Sequence, residues 1–180
     1  IIKFADRLNN METIQYLSSN KRKEIALETK EIFVPLAHRL GMAKLKWQLE
    51  DLSLKCLDLK AFNSIKKKIE TSARLNEDIL SNAIRPIKSE LSSYKIKSNI
   101  FGRYKSISSI HRKIKNRGKK FEDIYDLYAI RIVVDKIEEC YLALGVIHSI
   151  YPPLQDRFKD FIAMTKTNGY QSIHTTVLTK

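Results

Sequence analysis

The chain of 180 residues carries 33 Lys and Arg against 20 Asp and Glu, a formal net charge of +13, and 43% of its residues are hydrophobic. These proportions are typical of a folded protein and predict a phosphate-bearing partner. No apolar run approaches the roughly 20 residues that cross a bilayer, which excludes a transmembrane helix. The isolated cysteines, Cys56 and Cys140, exclude a CxxC zinc site and a disulfide scaffold, and they indicate a reducing, cytoplasmic location.

The first ninety residues have the apolar spacing of helices. A first helix is predicted to end before Gly41 and to be kinked at Pro35, because proline cannot donate the helical hydrogen bond. The spacing assigns four residues to its buried face: Ile25, Ile32, Leu36 and Leu40. A second helix is predicted over residues 43–60, and one or two long polar helices follow from Phe62, with an interruption near Pro86.

The pattern changes at Tyr94, because residues 94–100 alternate with a period of two and predict a strand that Gly102 ends. Further elements follow in chain order: a basic helix over 106–117 that Gly118 ends, a central strand over 127–134, an amphipathic helix over 137–150, and strands over 158–164 and 171–178. The sequence therefore predicts an all-α part followed by an α+β part, with the boundary near residue 93.

Most of the excess positive charge lies in one short segment. Residues 95–120 include ten Lys and Arg and no Asp or Glu, so the rest of the chain has 23 basic residues against 20 acidic ones. A charge excess that is concentrated in this way indicates a binding site rather than a generally basic surface.

Strand, glycine turn and helix in this segment can together form a phosphate cradle. The free N–H groups and the dipole of a helix N-terminus attract phosphate, and Arg103 and Lys105 follow Gly102 at this turn. Ser109 and Lys113 are four residues apart and share one face of the helix. A solvated basic helix that follows a glycine turn is the simpler alternative for this pattern alone.

Three further positions suit nucleotide chemistry. Asp126 precedes the apolar strand, where a carboxylate facing a phosphate cradle can hold Mg²⁺, although an aspartate before a strand also commonly forms a turn. Tyr170 can stack on a base, and His174 can orient a phosphate or transfer a proton. The alternative for both is a structural role, with the tyrosine in the core and the histidine as a hydrogen-bonding residue.

Several motifs resemble the RelA/SpoT family of alarmone enzymes. Three resemble its synthetase domain: GRYKS at residues 102–106, IYDLYAIRIVV at 124–134 and FKDFIAMTKTNGYQSIHTTV at 158–177. Two resemble the end of its HD-type hydrolase domain: FADRLNNM at residues 4–11 and FVPLAHRLG at 33–41.

The resemblance implies an α+β protein with three parts. These are the last helices of the HD domain over residues 1–60, a helical connector over 61–93, and a synthetase domain over 94–180 with a nucleotidyltransferase-like mixed β-sheet and flanking helices. It also implies a GTP pyrophosphokinase that transfers pyrophosphate from ATP to the 3′-hydroxyl of GDP or GTP. The product, (p)ppGpp, is the alarmone of the stringent response, and many family members also hydrolyse it in the HD domain.

The same resemblance implies roles for individual residues. The catalytic residues would be Arg103, Lys105 and Asp126. The ATP phosphates would be bound by Arg103, Lys105, Ser109 and Lys113. The guanine nucleotide would be bound by Lys159, Lys166, Asn168, Tyr170, Gln171 and His174. Asp126 would bind Mg²⁺ for synthesis, Asp6 would bind Mn²⁺ for hydrolysis, and Asn10 would lie in the nucleotide site of the hydrolase.

By comparison with the family pattern, the chain starts after the histidine ligands of the HD motif and ends before the strand with the second acidic residue. We therefore expect neither active site to be complete and the chain alone to be inactive. The expected partners are ATP and GDP or GTP, with the ribosome or tRNA bound through regions outside this sequence, and no membrane. The alternatives are a basic module that binds RNA or the ribosome and a regulatory domain that binds nucleotides without turnover.

Overall fold

The computed structural model describes residues 1–118, 120–124 and 127–179, apart from the side chains of residues 73–79, 104, 117 and 123. The helices are α1 (Ile2–Glu12), α2 (Ser19–Glu28), α3 (Val34–Arg39), α4 (Ala43–Leu57), α5 (Leu59–Ser93), α6 (Ile107–Arg117) and α7 (Ile137–Ile150). The strands are β1 (Ser98–Tyr104), β2 (Tyr128–Val134), β3 (Lys159–Asp160) and β4 (Ile173–His174). Within the described residues, no helix has the length and apolar character needed to cross a membrane.

The chain folds into two compact units, each made of two stretches of sequence. The first consists of Ile1–Ser72 and Lys105–Leu127, and the second of Ala73–Tyr104 and Tyr128–Lys180. Two clusters of buried side chains lie in the first unit: Phe4, Met11, Ile14, Ala26, Val34, Ala37 and Leu49 in one, and Ile65, Ile110, Phe121 and Ile124 in the other. The core of the second unit contains Ile87, Leu91, Ile96, Ala143 and Val146. The domain boundaries predicted at residues 60 and 93 follow the regions of the family pattern and not the two compact units, and they stay predictions.

The predicted buried face of the first helix is wrong beyond residue 28, because a π-helical turn, Thr29–Phe33, joins α2 to α3. Ile32, Leu36 and Leu40 are 50%, 43% and 64% exposed. A π turn contains one extra residue, which offsets the residues after it by about 100° from an uninterrupted helix. Val34 and Ala37 are buried instead.

The cause of this turn lies in two residues that weaken regular α-helical hydrogen bonding. Pro35 follows the turn and has no N–H to donate to the preceding turn of helix. Thr29 is fully buried and donates its hydroxyl to the C=O of Ile25 at 2.7 Å, a bond that often bends helices. The helical path continues past Pro35, as predicted, with a change in helical winding before it, and the kink itself stays a prediction.

For the helix breaks and helix ends, one prediction is wrong and two are confirmed. The predicted interruption near Pro86 is wrong, since α5 runs as one helix of 35 residues with Pro86 inside it. The predicted helix ends are confirmed at Gly41 and Gly118, where φ is 71° and 60°. Both values are in the left-handed region that favours glycine after a helix.

The first predicted strand begins four residues later than expected. Lys95 has φ of 58°, and the N–H of Ile96 donates to the C=O of Leu91 at 2.9 Å, a hydrogen bond that closes the end of α5. Residues 94–97 therefore end helix α5 instead of beginning the strand, despite their alternating pattern. The strand itself, β1, pairs in antiparallel register with β2.

Gly102 does not end this strand, contrary to the prediction. It lies inside β1 opposite Ile130 of β2. A Cβ at this position would overlap Cδ2 of Leu80 on α5 and lie 3.0 Å from its Cγ. Glycine is thus favoured here by the close approach of a helix side chain rather than by a turn.

The α+β class is confirmed, and the strand pairs in the described residues are antiparallel. The strand over 127–134 was predicted to be central, but among the described residues β2 pairs with β1 alone and its side chains alternate between half-buried and exposed. The two last strands are shorter than predicted. β3 and β4 pair over two residues each, and a single bridge joins Pro153 to Val177.

Candidate functional site

A cationic groove of about 310 Å³ lies along one face of α6 in the first unit. It is lined by Lys105, Ser109, Arg112, Lys113 and Asn116. Three of these side chains are cations, and a groove of this volume is within the range of small-molecule sites. The structure therefore brings together Lys105, Ser109 and Lys113, three of the four residues predicted to bind ATP phosphates.

The first turn of α6 is occupied by a carboxylate of the protein itself. Asp51 on α4 accepts hydrogen bonds from the N–H groups of Ser108, at 2.8 Å, and Ile107, at 3.4 Å. These are the groups that the sequence analysis assigned to a phosphate. The predicted phosphate contacts of α6 are therefore left to its side chains, among which the hydroxyl of Ser106 donates to that of Ser109 at 2.7 Å.

A second cluster, in the second unit, contains three aromatic rings that contact each other edge to face. The centroid of Phe161 lies 6.0 Å from that of Tyr170 and 5.2 Å from that of His174. The hydroxyl of Tyr170 and Nε2 of His174 are hydrogen-bonded at 2.8 Å. Tyr170 and His174, predicted separately to contact the guanine nucleotide, therefore form one group.

The other residues predicted for the guanine nucleotide surround this aromatic cluster to different extents. The Nζ atom of Lys166 lies 4.0 Å from the ring centroid of Phe161 and 5.2 Å from that of Tyr170, within the range of cation–π contacts. The side chain of Asn168 accepts the N–H of Tyr170 at 3.3 Å. Lys159 pairs with His174 in the β3–β4 ladder, and Gln171 is exposed.

Sequence reasoning missed Phe161, whose ring contacts both predicted rings and lies under the Lys166 ammonium group. An aromatic residue directly after Asp160 was the available signal. Asp160 itself forms the turn that presents this ring: its carboxylate accepts the N–H groups of Ile162 and Ala163 at 2.8 and 2.9 Å. The hydroxyl of Tyr141 on α7 donates to the other oxygen at 2.9 Å. Hydrogen bonding, first from Ala163, lowers the pKa of Asp160.

Although His174 is an exposed residue, its contacts in the aromatic cluster partly desolvate the imidazole, and this desolvation is the largest influence on its pKa. It lowers the pKa of His174 below its ordinary value of 6.5, and the positive charges of Lys166, Arg103, Lys159 and Arg131 lower it further. Arg103 therefore acts on the aromatic cluster. Its own pKa is lowered, first by desolvation and then by Arg131.

We predict that the imidazole of His174 titrates with a midpoint below 6.5 in an NMR titration of the folded chain. Because the unfolded chain binds this proton more readily, the contribution of His174 to the free energy of unfolding is complete above pH 6.5. It is lost as the pH falls through 6.5 toward the folded pKa. Lys166→Met should raise the midpoint by removing one repulsive charge. A midpoint at or above 6.5 in the unsubstituted chain would contradict the prediction.

Only one of the two predicted metal ligands, Asp6, lies among the described residues. Asp6 lies on α1, where its carboxylate accepts the side-chain amide of Asn10 at 3.3 Å. Among the described residues there is no group of three His, Cys, Asp or Glu that could hold a metal ion, and the assignment of Asp6 to Mn²⁺ stays a prediction. Asp126, the predicted Mg²⁺ ligand, lies outside the described residues.

Comparison with known protein families finds a match at each end of the chain. Residues 102–180, which include the aromatic cluster and the last three residues of β1, match the region found in RelA/SpoT proteins, and residues 1–43 match an HD domain. This order of regions agrees with the helical first part and the α+β second part. The predicted resemblance is therefore confirmed: residues 102–180 of the chain form a region of the kind found in RelA/SpoT proteins.

Similar proteins have names that agree with this assignment. The chain is 45% identical over 178 residues to a GTP pyrophosphokinase of Streptomyces antibioticus and 44% identical to a bifunctional (p)ppGpp synthase/hydrolase of Mycobacterium tuberculosis. It is 42% identical over 179 residues to a guanosine-3′,5′-bis(diphosphate) 3′-pyrophosphohydrolase of Spiroplasma citri. Each comparison covers 99% of this chain, whereas the chain spans only 21%, 24% and 24% of these curated relatives.

Proposed function

We propose that this chain carries the nucleotide-binding surfaces of a (p)ppGpp synthetase, which transfers pyrophosphate from ATP to the 3′-hydroxyl of GDP or GTP. The observation that carries the proposal is the cationic groove on α6, where Lys105, Ser109 and Lys113 line one surface. The names of relatives over 40% identical across 99% of the chain support it. Hydrolysis of (p)ppGpp by the protein that contains this chain is a second activity of the proposal, supported by the HD match and by the name of the relative in Spiroplasma citri.

In this function, α6 binds the triphosphate of ATP. Lys105 and Lys113 neutralise phosphate oxygens, and the hydroxyl of Ser109 can donate to one of them. Pyrophosphoryl transfer needs little covalent chemistry from the protein, so fixing the phosphates in line with the attacking hydroxyl supplies much of the rate. Arg103 is also one of the proposed catalytic residues. It lies in the second unit, where its positive charge lowers the pKa of His174.

The aromatic cluster binds the acceptor nucleotide. Tyr170 offers a ring on which guanine can stack, and the ammonium groups of Lys166 and Lys159 supply charge for its phosphates. His174, held by the hydroxyl of Tyr170, is kept neutral near pH 7 by its lowered pKa, so it is able to accept or donate one hydrogen bond to the acceptor. Asn168 fixes the backbone turn before Tyr170, and the exposed Gln171 is available for the nucleotide.

Synthetases and hydrolases with these regions generally depend on metal ions. We propose Asp126 as the residue that holds Mg²⁺, which would supply positive charge to the transferred phosphates. For the hydrolase, Mn²⁺ is proposed in the longer protein only, because the described residues do not complete its ligand set. Product formation from ATP and GDP that persists after Asp126→Ala, in a protein of the relatives' length, would contradict the Mg²⁺ assignment.

The sharpest test of the groove compares two lysines on the same helix. Lys113 lines the groove, whereas the exposed Lys115, two residues further and about 200° around the helix, is not among its lining residues. Lys113→Ala should raise the Kd of ATP by about tenfold, the loss of a charged hydrogen bond, while Lys115→Ala should change it by less than about twofold. Calorimetric titration of the 180-residue chain with ATP gives both values.

Equal losses for Lys113→Ala and Lys115→Ala would contradict the groove as an ATP site. Together with strongly salt-dependent binding to RNA of any sequence, that result would favour a basic nucleic-acid-binding module instead. ATP binding without any product in the full-length protein would favour a regulatory nucleotide-binding domain.

A further inference from the structure

Two adjacent carboxylates on α4 contact α6 at points about one turn apart. Asp51 accepts the N–H groups of Ile107 and Ser108, as described above. Its neighbour Glu50 approaches the guanidinium of Arg112 at 3.5 Å and the ammonium of Lys46 at 3.7 Å. The Glu50 side chain is 10% exposed and that of Arg112 is 57% exposed, so this contact lies at the edge of the surface between the helices.

The Asp51 carboxylate accepts N–H groups at the start of α6 that the residue before the helix does not cap. The residue that precedes the helix, Ser106, makes no capping hydrogen bond to the backbone of α6, and its hydroxyl is directed to Ser109 instead. A helix whose first N–H groups lack acceptors frays and is less stable, and a carboxylate is among the best acceptors for them. Asp51 therefore supplies, from another helix, the cap that the sequence around Ser106 does not.

The groove begins within one turn of this cap. Ser109 is one residue beyond the capped Ser108, and Lys113 follows one turn later on the same face. Arg112 lines the groove and pairs with Glu50 at the same time. The acidic pair thus contacts both the start of the helix and one of the groove cations.

We propose that Asp51 is a positioning residue for ATP binding: by capping α6 from α4, it holds the groove side chains in the arrangement that accepts the triphosphate. The inference rests on the proposed function of the groove, and it adds a residue from the part of the chain that precedes the synthetase region. Asp51 touches no substrate and acts through α6.

The test compares Asp51→Ala with two matched variants of the 180-residue chain. Asp51→Asn keeps an oxygen acceptor and should restore the cap, since asparagine and aspartate cap helices about equally well. Asp58→Ala removes a carboxylate that caps a different helix, α5, by accepting the N–H of Ala61 at 2.9 Å. The readouts are the Kd values of ATP and GDP and the amide exchange rates of Ile107 and Ser108.

For Asp51→Ala we expect the Kd of ATP to rise by about 3- to 30-fold, the range that corresponds to loss of a helix cap, with the Kd of GDP within about twofold. The amides of Ile107 and Ser108 should exchange faster, and Asp51→Asn should restore both properties. Asp58→Ala should lower the melting temperature while leaving the Kd of ATP within about twofold, which separates positioning from general destabilisation.

An ATP affinity that is equal in Asp51→Ala and Asp58→Ala would overturn the inference. Tighter ATP binding in both Asp51 variants would also overturn it, because the carboxylate would then be a competitor of the phosphate. Failure of the unsubstituted chain to bind ATP would instead contradict the proposed function, and the inference would fall with it.

Discussion

Tyr170→Ala is expected to weaken the binding of GDP or GTP by about 1–3 kcal/mol, or about 5- to 150-fold in Kd, because stacking of a base on an aromatic ring contributes that much. The ring is positioned for this role by Phe161 and by the hydrogen bond of its hydroxyl to His174. Titration calorimetry with GDP measures the change, and ATP binding to the groove on α6 should be nearly unaffected.

The matched control is Tyr170→Phe. This variant keeps the ring and loses the 2.8 Å hydrogen bond to His174, so GDP affinity should stay within about threefold of the unsubstituted value. An unchanged GDP affinity in Tyr170→Ala would return Tyr170 to a purely structural role. Equal losses in both variants would assign the binding energy to the hydroxyl and His174 rather than to stacking.

Gly102→Ala should lower the free energy of unfolding by about 1 kcal/mol, the low end of the usual cost of overpacking, because the exposed Gly102 faces a flexible leucine side chain rather than rigid backbone. The added Cβ would overlap Cδ2 of Leu80, and Cγ and Cδ1 of the same side chain lie only 3.0 and 3.4 Å from it. The whole leucine side chain must therefore move away from β1. Urea unfolding followed by circular dichroism gives the change.

Gly145 provides a control of opposite sign for this substitution. It lies inside α7, and a Cβ there would have no heavy atom within 4 Å. Gly145→Ala should therefore raise the free energy of unfolding by about 0.5–1 kcal/mol, since alanine is the better helix former. In a Leu80→Ala background the cost of Gly102→Ala should fall. An undiminished cost there would show that Leu80 is not its cause.

The helices could be predicted because their apolar spacing is local, and α4, α6 and α7 lie close to the predicted positions. The errors arose where a neighbouring element decides the outcome. A glycine usually breaks a strand and so predicts a strand end at Gly102, whereas the close approach of the Leu80 side chain, 22 residues earlier, favours glycine inside the strand. The alternating pattern predicts Lys95 in a strand, although Lys95 ends α5 with a positive φ that single-residue propensity disfavours.

In the candidate site, too, local features could be predicted from the sequence and contacts between distant residues could not. Lys105, Ser109 and Lys113 follow each other at helical spacing, so their shared face could be predicted from the sequence. The contact of Asp51 with the first turn of α6 joins residues 56 and 57 positions apart. Spacing along the chain contains no information on such a contact, and a free helix N-terminus was therefore the wrong expectation.

The π turn between α2 and α3 affects how well the fold tolerates the deletion or insertion of a residue at this point. Because the turn accommodates one extra residue, a chain shortened by one residue within Thr29–Phe33 would leave Val34 and Ala37 facing the core, provided that Pro35 is replaced by a residue with an N–H. An added residue would instead rotate α3 by about 100°. Deletions should accordingly be tolerated at this turn better than insertions, the reverse of what holds for an exposed loop.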